Sequence, residues 1–505
     1  MKSKSEIKAG VILSYALILF NVIYGFISTP FILNYVGEID YGVYKSVASL
    51  SASLAVMDFG LGTTLTRYIA KYNAEKNIKK AESFIGMVFG QFLVLATLVS
   101  GIGVVITLST DKMFDSAFSD QQLLLAQKLV VFLILNLVLR MFENLLIGVA
   151  SGLEKFIVAN GIRFATVFTK FLLILVILPV TKNVLTIVFL ETFVASAAIV
   201  FLLFYILKRV GMRPKFKNWD LSVFKESFIY TSLMFVQSVT TQFNGNIDNV
   251  LLGAQMGAVS VTIYSMSLLV FSMYENLSGS IATIMLPNIS KRVVANQTPE
   301  QIQCCIEKAG KFQFALLAAA LGGFAVLGKD FFNLWLGSGY DNCYYLTLIL
   351  IVPITFPMIQ NVCLSVLRAQ NKMVYRTVTL AVSCLINAMV TYFGIKYFGV
   401  WGAACGTAMS TVSNLIFMNI YYHKKLKFKI FKMFYHIMGK ILPCAIIATG
   451  ITYVTHSFIN YSWVSFLVNV LVFVLVYGFM LLLVGFNKEE KQMIFGRLII
   501  RGAKK

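Results

Sequence analysis

Histidine and acidic side chains are scarce in this chain. Of its 505 residues three are histidine (His423, His436 and His456), and 22 are Asp or Glu against 43 Lys or Arg. The seven cysteines, at 304, 305, 343, 363, 384, 405 and 444, show no CxxC or Cys/His ligand spacing. Most lie in apolar runs, where a thiol behaves as a small hydrophobe. Neither set points to a metal site or a catalytic nucleophile. Charge is scarce overall: 13% of residues are charged, where a soluble chain carries about 25%. A soluble globular protein is excluded.

What the chain has instead is apolar sequence. Hydrophobic residues make up 58%, the mean hydropathy is +0.80, and runs of bilayer-spanning length recur throughout. Each needs roughly 20 residues to cross a ~30 Å hydrocarbon core. The run after Met1-Lys2-Ser3-Lys4 is too long for a secretory signal core and lacks a small-x-small cleavage site. It reads as a retained membrane helix.

Hydropathy places about fourteen spans, near 10–33, 42–66, 83–108, 123–149, 156–179, 184–207, 227–253, 258–286, 311–334, 344–367, 373–394, 400–422, 437–456 and 462–485. The expected fold class is an all-α polytopic membrane protein, with kinks at Pro30, Pro179, Pro287, Pro353 and Pro357. An echo relates its halves. "VGEIDYGVYKSVASL" (36–50) opens the second span and "MGAVSVTIYSMSLLV" (256–270) the eighth, each after a glycine turn and each followed by a carboxylate, Asp58 or Glu275. Two six-helix bundles, 1–220 and 221–425, with a terminal helix pair and basic tail over 426–505, account for fourteen.

The net charge of +21 sits in short loops on alternate sides of the spans. Arg67 to Lys80, Lys208 to Lys225, Lys291 to Lys311, Arg368 to Arg376, Lys424 to Lys440 and the tail share one side, whereas the other holds little beyond Lys112, Lys182 and Lys396. The positive-inside rule then puts both termini in the cytoplasm. Anionic membrane lipids suffice as partners for these cations, so no nucleic acid is implied.

Charges near a bilayer centre cost at least ~2.5–3.5 kcal/mol and so face a bundle interior or a wet cavity. The candidates are Asp58, Arg140, Glu143, Arg163, Lys170, Glu191, Asp248 and Glu275. Lys45, Lys128, Lys329 and Asp330 lie near outer ends, where snorkelling explains them. Arg163 and Lys170, seven apart, share one helix face. Asn136, Arg140, Glu143 and Asn144 form a polar stripe on the preceding span, and the short link "SGLEKF" (151–156) makes the two spans an antiparallel pair. Together they present three cations and one carboxylate. In one reading the surplus forms an anion site, since a guanidinium fork bonds two phosphate oxygens at once. In the structural alternative, Arg140 pairs with Glu143 while Arg163 and Lys170 neutralise Asp58 or Glu191.

Asp58 lies about 24 Å along its span by helical rise, and Gly60 and Gly62 beyond it allow close helix approach. Its expected partner comes from another helix, Arg140 or Arg163, as an ionic latch. Asp248, among Asn244, Asn246 and Asn249, could hold a sodium ion or carry a proton. The alternative there is a polar cluster that packs the halves together.

The stretch "VGEIDYGVYKSVASLSASLAVMDFGLGTTLTRYIAKY" (36–72) resembles the N-terminal signature of Wzx-type polysaccharide flippases, of the multidrug/oligosaccharidyl-lipid/polysaccharide exporter superfamily. The resemblance continues through "NIDNVLLGAQMGAVSVTIYSMS" (246–267), "IMLPNISK" (284–291), "LWLGSGY" (334–340) and "FGVWGAACGT" (398–407). It implies a multi-pass flippase of the bacterial inner membrane. Such a protein moves an undecaprenyl-diphosphate-linked oligosaccharide outward for polysaccharide or O-antigen biosynthesis, by alternating access. It also implies a cationic cavity, for which Arg140, Arg163 and Lys170 are the candidates with Asn136 and Asn144 beside them. Coupling to a proton or sodium gradient is implied too, with Asp58, Glu143, Asp248 and Glu275 as candidates. No cofactor is implied, and polysaccharide polymerase or assembly proteins are implied partners.

Two rivals share the superfamily: a cation-coupled multidrug exporter, against which the basic interior argues, and a lipid II flippase, closer in chemistry. A membrane polymerase or ligase would need an outer loop bearing acid, base or phosphate-binding groups. "STDKMFDSAFSDQQ" (109–122) has one Lys and no His or Arg, and "GKDFFNLWLGSGYDNCYY" (328–345) is short and mostly apolar. The chain is not expected to be an enzyme.

Overall fold

The computed structural model describes residues 2–216, 221–295, 297–370, 372–457, 462–488 and 490–492. Most of the expected basic tail lies outside them, as do Lys217 and the side chains of Lys225 and Pro287. All regular structure among the described residues is helical. In chain order the helices are α1 (Lys2–Val36), α2 (Glu38–Leu54), α3 (Leu61–Ala74), α4 (Ile78–Phe114), α5 (Asp120–Gly152), α6 (Phe156–Thr181), α7 (Leu185–Phe204), α8 (Leu221–Met256) and α9 (Ala258–Val294). There follow α10 (Pro299–Leu336), α11 (Asp341–Ile359), α12 (Asn361–Ala369), α13 (Val374–Phe398), α14 (Val400–Leu426), α15 (Ile430–Met438), α16 (Ile441–His456) and α17 (Trp463–Met480).

Among the described residues 11 spans are long and apolar enough to cross a membrane, and α15 with α16, bent by 41°, makes a twelfth. The remaining long helices are the 36-residue α8 and the 27-residue α14. Both are rich in Asn, Ser and Thr, which lowers their hydropathy without shortening them.

The halves of the sequence echo share a turn. A single residue joins α1 to α2, Gly37 at φ +85°, and a single residue joins α8 to α9, Gly257 at φ +84°. Side chains other than hydrogen seldom adopt such a φ, so glycine permits the immediate reversal.

The second span differs from the continuous helix expected over 42–66. It tightens into a 3-10 turn at Ala55–Asp58 and breaks, with Phe59 at φ 49° and Gly60 at φ 65° both left-handed, before α3 resumes. The Phe59 ring stacks on Phe235, centroids 4.0 Å apart.

The chain divides into two compact units, residues 1–265 with 391–403, and residues 266–390 with 404–505. In the first, α5 packs on α2, α3, α4 and α7, and α6 packs on α1. Gly62 and Gly148 set the α3–α5 spacing. A Cβ added at Gly62 would lie 2.8 Å from the Asn144 carbonyl oxygen, and Thr66 Oγ1 donates to the Gly148 carbonyl at 3.2 Å. Phe20 of α1 meets Phe164, Phe168 and Phe171 of α6 at centroid separations of 5.4, 5.5 and 5.7 Å. In the second unit α10 is the hub, packed on α11, α15, α16 and α17. Its core joins Phe314, Ile359, Tyr422, Met433, Ile437 and Phe473, all buried.

Candidate functional site

The first unit contains a cavity of about 170 Å³ between α1, α5, α6 and α7. Its walls carry Asn21 and Tyr24 from α1, Arg140 and Glu143 from α5, Thr166, Val167 and Lys170 from α6, and Glu191, Val194 and Ala195 from α7. Helical spacing places these groups: Arg140 and Glu143 are three apart, Thr166 and Lys170 four apart, and such pairs share a face.

One carboxylate organises the cavity. Glu191 receives the Arg140 guanidinium and, at 3.2 Å, the Lys170 ammonium, both on Oε1. The Lys170 ammonium also lies 5.7 Å from the centre of the Tyr24 ring, a cation–π distance. Burial is uneven: the side chains of Glu191 and Lys170 are 10% and 17% exposed, but Arg140 is 55% exposed. Arg140 is therefore anchored through Nη2 while more than half of its side chain stays exposed, and a guanidinium has further N–H donors to offer an anion.

The cation surplus expected from the sequence is smaller than three against one. Glu191 enters the cavity wall alongside Glu143, so two cations meet two carboxylates there. Arg163 is exposed and outside that wall, though both it and Arg140 act electrostatically on Glu143. Arg163 and Lys170 share a face but stand about 10 Å apart along the helix axis, so one reaches the cavity and the other does not.

The two asparagines expected beside the cations point elsewhere. Asn136 is buried and spends its amide on α7, donating from Nδ2 to the Val188 carbonyl at 3.1 Å and accepting from Thr192 Oγ1 at 2.7 Å. Asn144 is exposed near the α3 crossing.

Asp58 meets neither partner expected for it. Arg140 is committed to Glu191, and Oδ1 of Asp58 is buried with no hydrogen-bond partner among the described residues. The helix break at Phe59 and Gly60 fixes the backbone on which this carboxylate sits.

Asp248 is fully enclosed. Tyr264 donates to Oδ2 at 2.7 Å and Thr391 to Oδ1 at 3.0 Å, both by hydroxyl. Two of the neighbouring asparagines bond elsewhere: Asn249 donates to Ser49 Oγ at 3.0 Å and Asn246 to the Gln242 carbonyl at 2.8 Å. In the second unit Glu275 is half-buried and makes no ion pair among the described residues. It lies beside Tyr274, which is 2.7 Å from Thr355 Oγ1, and near Ser278, which accepts from Asn361 at 2.9 Å. No group of three or more His, Cys, Asp or Glu among the described residues could hold a metal ion.

A polar cavity lined by ion pairs among helices long and apolar enough to cross a membrane suits a transporter. Comparison with known proteins agrees. The family model described as "Lipid II flippase MurJ" matches residues 59–473. The chain belongs to this family. It is a family of flippases, transporters and not catalytic enzymes, and membership in it does not single out the Wzx type whose signature the sequence resembles. A solved structure of "Lipid II flippase MurJ, inward closed conformation" shares the fold at TM-score 0.72 and 14% identity, covering 97% of this chain and all of that one. A multidrug resistance MATE family transporter in an inward-facing conformation follows at TM-score 0.60 and 13% identity, covering 82% of this chain and 98% of that one. A curated relative, the "Probable low-salt glycan biosynthesis flippase Agl15" of Haloferax volcanii, is 22% identical over 241 residues. That match spans 48% of this chain and about half, 49%, of the relative.

Proposed function

We propose that the protein flips an undecaprenyl-diphosphate-linked oligosaccharide from the cytoplasmic to the outer leaflet, for polysaccharide or O-antigen biosynthesis, by alternating access. The observation that carries this reading is Arg140, a residue of the cavity wall anchored on Glu191 beside Lys170 and yet more than half exposed. A diphosphate offers several oxygens to these donors and competes with the Glu191 carboxylate for them. In this mechanism the diphosphate takes over Arg140 and Lys170, Glu191 is released, and the re-formed ion pairs expel the head group on the opposite side. The cavity holds a head group, while the glycan and lipid chain extend beyond it.

Family membership favours a second reading, transport of lipid II. Both substrates present a polyprenyl diphosphate, so the cationic site serves either. We place the protein in the bacterial cytoplasmic membrane with both termini cytoplasmic, and infer a polysaccharide polymerase as the acceptor of the flipped glycan. Coupling to H+ or Na+ is proposed at Asp248, the most enclosed of the membrane carboxylates, with Asp58, Glu143 and Glu275 as further candidates.

Proteoliposomes containing the full chain, loaded separately with a lipid-linked oligosaccharide and with lipid II, distinguish the readings. Appearance of the oligosaccharide on the opposite leaflet, lost in Arg140→Ala, supports the proposal. Transport of lipid II alone replaces the substrate, and transport of neither overturns both.

A further inference from the structure

Between Asp341 and Glu489 the sequence contains no acidic residue. The helices α12 to α17 are therefore built without a carboxylate, and any cation among them must be neutralised from outside that stretch. Arg376, in the first turn of α13, is half-buried. Its Nη1 is enclosed and meets no hydrogen-bond acceptor among the described residues. Two groups act on it electrostatically, the buried phenol of Tyr422 and, with repulsion, Arg368 at the end of α12; neither is a carboxylate. A cation in a first turn also faces the positive end of its own helix. Charges withdrawn from water without a counter-charge are costly, so this guanidinium calls for an anion.

One edge of α13 is exposed and apolar, formed by Val374, Val378, Val382 and Leu385. Arg376 is two residues from Val374 and Val378, about 200° around the helix, and so lies on the opposite side. Thr379 and Ser383 share that side and are buried, and the Thr379 hydroxyl donates to the Arg376 carbonyl at 2.9 Å. Tyr375, the preceding residue, stacks on Tyr421 of α14 with ring centroids 4.3 Å apart. Of eight buried side-chain polar atoms without a partner among the described residues, four belong to Gln370, Arg376, Ser383 and Asn414. Unspent hydrogen-bonding capacity thus concentrates at the turn from α12 into α13 and along the α13–α14 pair. The exposed cations Arg368 and Lys372 flank the same turn.

We propose that Arg376, with Arg368 as second cation, binds a phosphate group. The guanidinium fork takes two phosphate oxygens at once, and no carboxylate competes for it. The position opposite the exposed apolar edge favours a phosphate arriving from the aqueous end of α13 over the head group of a surrounding lipid. The site belongs to the second unit, and binding there does not depend on the Arg140–Glu191 cavity of the first.

The test is ligand binding to the delipidated full-length protein in the Arg140→Ala background, which removes the exposed guanidinium of the other cavity. Inorganic phosphate is titrated by calorimetry against chloride of equal ionic strength, and phosphatidylglycerol by native mass spectrometry. Arg376→Gln should weaken phosphate binding at least about tenfold, the loss of one charge-assisted bond. Arg376→Lys, which keeps the charge without the fork, should recover part of it. Lys396→Gln, an equal loss of charge at the other end of α13, should bind as its parent. In phosphate-free buffer Arg376→Gln should unfold no earlier than its parent, since no partner is lost. Arg376-dependent binding of phosphatidylglycerol alone would support the site and make a lipid its source. The proposal is overturned if neither ligand shows Arg376-dependent binding, if Lys396→Gln loses as much, or if Arg376→Gln unfolds earlier without phosphate.

Discussion

The Lys170 ammonium of α6 lies 3.2 Å from Glu191 Oε1 of α7, and the same oxygen receives Arg140 of α5. Three neighbouring helices therefore converge on one mostly buried carboxylate. Removing one partner of such a pair leaves an uncompensated charge and costs about 3–5 kcal/mol. Glu191→Gln is expected to lower unfolding free energy by an amount near the bottom of that range, because Arg140 is more than half exposed. Adding Lys170→Met should recover most of the loss. A double-mutant cycle from denaturant unfolding in detergent measures both, and simple additivity of the two changes would show that the pair is not coupled.

Arg140→Ala should separate function from stability. Its exposed guanidinium limits the structural loss to about 1 kcal/mol, since Lys170 still neutralises Glu191. Flipping should fall at least about tenfold, the equivalent of one lost charge-assisted phosphate bond of roughly 1.5–3 kcal/mol. Arg140→Lys, which keeps the charge but not the fork, should recover only part of it. Transport rate normalised to membrane abundance is the readout, and a normal rate in Arg140→Ala would remove the residue from the site.

How far the sequence reached depends on the range of the relationship. Helical periodicity located Arg140, Glu143 and Lys170, because groups three, four or seven apart share a face whatever surrounds them. It could not tell that Arg163, one face but two turns away, misses the cavity. Nor could it rank Glu191 as the central carboxylate, since the pairing with Arg140 spans 51 residues. Asn136 looked like a ligand and is a strut, because an amide's partners are invisible until its neighbours are placed. Tyr24 and Thr391 carried no signal, and Tyr264 only as part of the repeated segment: hydroxyls in apolar helices become informative only through what they touch. The break at Phe59 was hidden for a related reason. A left-handed phenylalanine is rare, and the glycines after it read equally well as a packing surface.

Asp58 leads to the opposite expectation from Glu191. Its Oδ1 is buried without a hydrogen-bond partner among the described residues, and an unmet acceptor costs about 1–3 kcal/mol. Asp58→Asn should leave stability unchanged or raise it by about 1 kcal/mol in thermal unfolding. A stabilised variant with impaired flipping would mark Asp58 as a carboxylate retained for transport. A marked loss of stability would instead reveal a partner for it.

At Asp248 the hydroxyls of Tyr264 and Thr391 each bond a carboxylate oxygen, at 2.7 and 3.0 Å. Hydrogen bonds to a charged group contribute about 1.5–3 kcal/mol. Tyr264→Phe should cost an amount in that range in the native background and less in Asp248→Asn, where the acceptor is neutral. Equal costs in the two backgrounds, measured by denaturant unfolding, would mean that the hydroxyl serves something other than the carboxylate.

The two one-residue turns should respond differently to the same substitution. Gly37 has φ +85° and ψ 164°, a region populated almost only by glycine, where strain is about 1–3 kcal/mol. A Cβ there meets nothing within 4 Å, so Gly37→Ala should cost that strain alone. At Gly257, φ +84°, an added Cβ would lie 2.9 Å from the Ala117 carbonyl oxygen. Gly257→Ala must therefore strain the backbone and also push α4's following loop away, and it should be the more destabilising by about 1 kcal/mol or more. Asparagine distinguishes strain from contact: it favours the left-handed region near ψ +45°, not the extended ψ of Gly37. Gly37→Asn should thus be no better tolerated than Gly37→Ala. Thermal unfolding of the three variants tests the order, and a milder effect at Gly257 than at Gly37 would contradict the geometry of the turns.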